Sequence, residues 1–144
     1  DMLQARICVL VTLLVGAISP ATAEDYIVPA GVTVLTEEQL LNQIIGNTLA
    51  GGTRWVEYYE PVTGNLNEGR LKGKSKGIGL YGGSWKINGP LMCWEFDTAR
   101  MSVYNDCFTV ALDGNTVITY TIHGKVHTDP SGQINLISGN PDDL

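Results

Sequence analysis

From Gly46 onward the chain never repeats its apolar residues every three or four positions, and glycine interrupts it every few residues. β-Branched and aromatic residues fill the intervals. Such a chain is confined to short strands joined by tight turns. Strands are expected at 47–50, 53–60, 65–72, 78–88, 91–98, 105–113, 115–123 and 133–138. The short connections point to an antiparallel meander.

One helix precedes the strands, expected over 37–45. Thr36 is a good N-cap and Gln39 stands at N3, the capping-box arrangement. Leu35 and Leu40 occupy the two positions of a hydrophobic staple. Glu37 and Glu38 suit the positive end of the helix dipole. Leu40, Leu41, Ile44 and Ile45 make one apolar stripe, and Gly46 is the expected C-cap. A helix this short must pack on something to persist.

The faces of the central strands can be tested by parity. Asn88-Gly89 signals a two-residue type I′ hairpin, which pairs Ile87 with Pro90 and Trp85 with Met92, and sets Tyr81 opposite Phe96. If Cys93 faces Cys107, then Met92 pairs with Phe108 and Trp94 lies beside Asp106. A three-residue loop at Asp113-Gly114-Asn115 then aligns Val110 with Ile118 and Phe108 with Tyr120. A two-residue loop there turns Val117 and Thr119 inward instead, a less apolar result. These choices gather Trp85, Ile87, Met92, Trp94, Phe96, Phe108, Val110, Leu112, Ile118, Tyr120 and Ile122 on one face. A one-residue slip flips a whole strand, so agreement between independently chosen turns carries weight. The expected fold is mainly β: an antiparallel meander of about eight strands curling into a small calycin-like barrel or half-barrel, with one short N-terminal helix.

Residues 1–23 read as a cleavable secretory signal. Arg6 supplies the positive start, Ile7 to Ile18 is small and apolar, and Ala21-Thr22-Ala23 is a cleavage site ahead of Glu24. The apolar run is well below the roughly 20 residues needed to span a bilayer. The expectation is an exported protein, periplasmic or secreted, with no stable membrane span after cleavage. A lead-in at 24–35 and a single β domain at 36–144 follow. Cys8 leaves with the signal, and the two remaining cysteines, Cys93 and Cys107, are expected to pair. The parity above puts that disulfide on the outer, polar face. A closed loop of about 15 residues contributes roughly 3 kcal/mol in the chain-entropy account. The formal net charge of −6 favours solubility and gives no reason to expect nucleic acid as a partner.

Four groups of side chains are candidate sites. Arg70, Lys72, Lys74 and Lys76 alternate, so they share a strand face and form an anion-binding stripe or, more simply, the lysine guard of an edge strand. His123 and His127 lack a third ligand, so no metal and no cofactor is expected. The aromatics Trp55, Tyr59, Tyr81, Trp85, Trp94, Phe96, Phe108 and Tyr120 line the barrel, as a ligand pocket or as a filled core. Among the carboxylates Glu57, Glu60, Glu95 and Asp97, the last two fall on the outer face; acid–base work needs two that converge in a cleft. No nucleophile elbow, phosphate loop or metal motif occurs, and no catalytic residue is assigned.

Short motifs add a resemblance. Leu35-Thr36-Glu37-Glu38-Gln39-Leu40 leads into Gly46-Asn47-Thr48-Leu49; Gly83-Ser84-Trp85 precedes Cys93 and Cys107; Gly139-Asn140-Pro141-Asp142-Asp143-Leu144 closes the chain. This layout resembles the small exported proteobacterial proteins of domain-of-unknown-function family 995. It departs from the family pattern at Val62-Thr63-Gly64-Asn65, where an Asp-Gly turn is common. The resemblance implies no activity. The functional expectation is a non-enzymatic module binding a small apolar ligand or an envelope protein. Its alternative is an inhibitor of an envelope or host hydrolase, and a small hydrolase acting through Glu57 or Glu60 ranks last.

Overall fold

A computed structural model describes residues 25–144 apart from 63 and 65; the expected signal segment lies outside the described residues. Eight antiparallel strands follow one another around a closed barrel. They are β1 (Thr48–Gly51), β2 (Trp55–Tyr59), β3 (Glu68–Ser75), β4 (Gly79–Asn88), β5 (Leu91–Phe96), β6 (Asp106–Asp113), β7 (Thr116–Thr121) and β8 (Ile134–Ile137). Each strand pairs with its sequence neighbours, and β8 closes on β1. The closing seams are unequal: β8 shares four residue pairs with β1 and only two with β7.

The helix α1 (Glu37–Gln43) stops two residues earlier than expected. Its capping box is present: Gln39 N–H donates to Thr36 Oγ1 (3.3 Å) and Thr36 N–H donates to Gln39 Oε1 (2.9 Å). Ile44 is the C-cap, and Gly46, with φ of 82°, donates its N–H across to Tyr59 O (2.8 Å). The chain thus leaves the helix directly into the sheet. Leu40 of α1 and the flanking Leu35, Ile44 and Ile45 are buried in one cluster with Tyr59, Leu71, Trp85 and Ile87, so the helix segment stoppers one end of the barrel. Glu37 fastens the stopper, accepting from Gly89 N–H (2.8 Å) and Asn67 Nδ2 (2.9 Å). The terminal motifs meet at the same end. Asn47 Oδ1 accepts from Gly139 N–H (2.9 Å) and Thr48 Oγ1 donates to Gly139 O (2.6 Å). Asn140 clasps both the N–H and the carbonyl of Leu144 (3.0 Å each).

A barrel of eight strands has little internal room. Here the room comes from glycine. Gly51, Gly69, Gly73 and Gly83 point inward, and each stands directly opposite an aromatic partner: Trp55, Trp85, Tyr81 and Phe96. The rings lie over the vacant positions. A Cβ on Gly73 would sit 2.2 Å from Tyr81 Cζ, and one on Gly69 2.8 Å from the Trp85 indole. This is glycine–aromatic rescue across neighbouring strands.

Two hairpin registers differ from expectation. The β4–β5 turn is Gly89-Pro90, so Ile87 pairs with Met92 and Trp85 with Trp94. An Asn88-Gly89 turn would need the N–H of Pro90 to close it, and proline has none. Gly89, with φ of 57°, takes the first central position of the turn actually formed. The shift moves each partner by two, so the inward set of β4 and β5 is unchanged. Cys93 pairs with Cys107, Met92 with Phe108 and Trp94 with Asp106, and the disulfide lies on the outer face. The β6–β7 loop is the two-residue Gly114-Asn115, and this does flip β7. Val117 and Thr119 face inward; Ile118 and Tyr120 face outward, which corrects the expected interior set. On the outer side of β7 Tyr120 is nonetheless only 8% exposed, and Thr116 and Ile118 are half-buried. The lead-in is tied to the sheet by its backbone, Ile27 N–H donating to Ile122 O (2.8 Å) just beyond β7 and Leu35 N–H to Val110 O (2.7 Å) in β6, while Tyr120 bridges to Val126.

Candidate functional site

Strand β2 places Trp55, Glu57 and Tyr59 on the inner face, because side chains alternate and the two aromatics point inward. Glu57 is therefore carried into the barrel with them and is 8% exposed. Its carboxylate is held by phenols: Tyr59 OH donates to Oε2 (2.6 Å) and Tyr81 OH to Oε1 (2.8 Å). Trp94 Nε1 donates in turn to Tyr59 OH (2.7 Å). Three strands besides β2 supply or support this cluster, since Gly73 of β3 makes room for Tyr81 of β4, and Trp94 stands on β5.

The cluster faces the end that α1 leaves open. The long β7–β8 connection bends over that rim and brings in Asp129, whose oxygens accept from Trp55 Nε1 (3.3 and 3.2 Å) and from Ser131 N–H (2.7 Å). Ser131 Oγ also donates to Asp129. Around the rim Trp94 lies tilted against Phe108 (ring centroids 5.1 Å apart), Phe108 tilted against His127 (4.7 Å) and Tyr81 edge-on to Phe96 (5.8 Å). Trp55, Tyr81 and Trp94 remain half-buried.

Among the described residues no Lys, Arg or His forms an ion pair with Glu57. Burial pushes its carboxyl above the ordinary glutamate range, the Tyr59 and Tyr81 hydroxyls pull it back, and the charge of Asp129 raises it further. Burial, together with the nearby Glu57 carboxylate, holds the Tyr59 and Tyr81 phenols well above the usual tyrosine range.

The other candidates disperse. Arg70, Lys72 and Lys74 share the outer face of β3, as expected, while Lys76 lies in the following turn. β3 is flanked by β2 and β4 and is no edge. Arg70 pairs with Asp97 on the outside, which lowers the Asp97 pKa, and Lys72 pairs with Glu60 (2.9 Å). Glu60 is thus outside and Glu57 inside, so those two do not converge. His123 and His127 are both exposed. Among the described residues no group of three His, Cys, Asp or Glu is placed to hold a metal, and no helix is long and apolar enough to cross a membrane. Trp55, Tyr59, Tyr81, Trp85, Trp94, Phe96 and Phe108 all face inward; Tyr120 does not.

Two recesses stand out among the described residues, and neither is the barrel interior. One, of about 440 Å³, lies beside α1 between Glu37, Asn67 and Lys86. The other, of about 210 Å³, follows the thin β7–β8 seam and is lined by Thr119, His127, Asp129 and Ile134. Sequence reasoning missed Asp129 and Ser131, whose Asp-Pro-Ser-Gly stretch reads only as a turn. It named Glu57 without seeing that the parity which turns Trp55 and Tyr59 inward must take Glu57 too. No protein-family model, curated protein or solved structure matches the chain.

Proposed function

We propose that the protein is an exported, non-enzymatic binding module that works through the unstoppered end of its barrel. The observation that carries this reading is Glu57: an ionisable side chain buried among aromatics, at the open end, without a paired cation among the described residues. A glutamine or a leucine fills a core at lower cost, and perturbed carboxyls concentrate at functional sites. Because the lower barrel is filled, the proposed ligand sits at the mouth and not deep inside. The leader-like residues 1–23 and the resemblance to domain-of-unknown-function family 995 support export to the periplasm. The test is a native mass spectrum of the protein purified from the periplasm, compared with its denatured mass. A native adduct that is lost on denaturation, and absent from Glu57→Gln, is the expected result. A bare mass from wild type, with no change in stability on adding small-molecule probes, counts against it.

A second reading, inhibition of or docking to a hydrolase, is favoured by one observation at the same end. Leu80 and Val103 are each 76% exposed and Tyr104 60% exposed, on the β4 start and on a 3₁₀ turn (Ser102–Tyr104) before β6. Capture of one discrete envelope hydrolase by wild type, lost on Val103→Asp with Tyr104→Ala, is its expected signature.

A further inference from the structure

We propose that the mouth of the barrel takes a compact organic cation, its ammonium group set between the Glu57 carboxylate and the rings of Trp55, Tyr81 and Trp94. This rests on reading the unstoppered end as the ligand-binding end. Four features select the class. First, a carboxylate offers about four acceptor sites, and the tyrosines occupy one on each oxygen. Second, the polar groups that meet Glu57 are neutral donors or another acid. Tyr59 comes from its own strand, Tyr81 from β4, Trp94 through Tyr59 from β5, and Asp129 from the β7–β8 connection. A fatty acid, the kind of occupant an apolar barrel would otherwise suit, would set its own carboxylate against two acids.

Third, aromatic faces attract an ammonium group, most strongly where water is excluded. Phenols, indoles and a carboxylate together make a cage for a soft cation, and among the described residues no metal-binding set competes. Fourth, size is restricted. The barrel below is filled by Tyr59, Leu71, Trp85 and Met92, and Glu57 itself is only 8% exposed. A headgroup-sized amine or quaternary ammonium suits so shallow a seat and an extended lipid does not.

The test is calorimetric titration of the purified protein with choline and n-butylammonium, and with 3,3-dimethylbutan-1-ol, the neutral isostere of choline. The expected result at neutral pH is that choline binds at least about tenfold more tightly than the isostere, a difference of about 1.4 kcal/mol. Glu57→Gln should erase that preference, whereas Lys74→Ala on the outer wall should leave it intact. Affinity should fall as acid protonates Glu57. Near-UV circular dichroism verifies the fold of each variant, and Asp129→Asn, which should weaken choline without abolishing it, provides an independent second variant. Equal binding of choline and its isostere overturns the cation assignment while leaving the mouth as a binding site. Retention of the full preference by a folded Glu57→Gln also overturns it. If no probe binds and the native mass is bare, the binding reading falls with it.

Discussion

Glu57 shows how a single position can be decided by its neighbours. Trp55 and Tyr59 belong inside, and strand geometry gives the residue between them no choice. Its carboxyl is raised above the ordinary value, which fixes the sign of a pH effect. The folded state holds the proton more tightly than the unfolded chain, so stability falls as pH rises from about 4.5 toward the folded value. Thermal unfolding across that window should show the decline in wild type and not in Glu57→Gln. The outer pair works oppositely, because Asp97 is lowered by Arg70 and its contribution disappears only at more acid pH. Gly73 is a second decided position. Its Cβ would meet Tyr81 Cζ at 2.2 Å, and Tyr81 cannot swing away without releasing Glu57. Gly73→Ala should therefore cost roughly 1–3 kcal/mol by overpacking, read by chemical denaturation. Gly77, with open space around it, is the control.

Among the elements, α1 was the most legible, because its capping box and staple are local. The strands were legible in number and order, and their faces were legible wherever one side is wet. β4 and β5 kept the expected inward set although Pro90 moved their turn, because the shift was by two in each pairing. β7 was not legible. Its outer side is itself half-buried or buried, so the apolar character of Ile118 and Tyr120 did not identify the inside. Asp129 belongs to a long connection whose path depends on the rest of the barrel, and no local pattern announces where such a loop will fold. The same connection leaves β7 and β8 with two residue pairs. Amides of β8 should exchange with solvent faster than those of β3 and β4, which share eight residue pairs. Hydrogen exchange followed by mass spectrometry reads this directly, and uniform protection around the barrel would contradict it.

For the whole molecule, closure matters more than any one contact. A closed barrel has no edge strand to protect, so the basic side chains of β3 are not an edge guard. The C-terminal clasp and the helix stopper both act at one end, and the sequence motifs that suggested a family resemblance lie largely there or in the disulfide. They maintain the scaffold and lie away from the opposite end, where the proposed site is. The disulfide between Cys93 and Cys107 straps β5 to β6 from outside and takes no part in filling the core. Cys93→Ser should lower stability by about 3 kcal/mol and leave the far-ultraviolet spectrum unchanged. Loss of the barrel itself would show that closure depends on the bond.

The glycine–aromatic pairs make the filling of this vessel removable. Each ring occupies volume that its partner strand has already vacated, so trimming the ring leaves two small residues face to face and a void the size of a benzene nucleus. Tyr81→Gly, opposite Gly73, would open such a chamber against Glu57. Phenol, offered from outside, should restore the missing hydrogen bond and much of the lost stability, so that an ordinary solvent-borne molecule becomes a replaceable part of the wall.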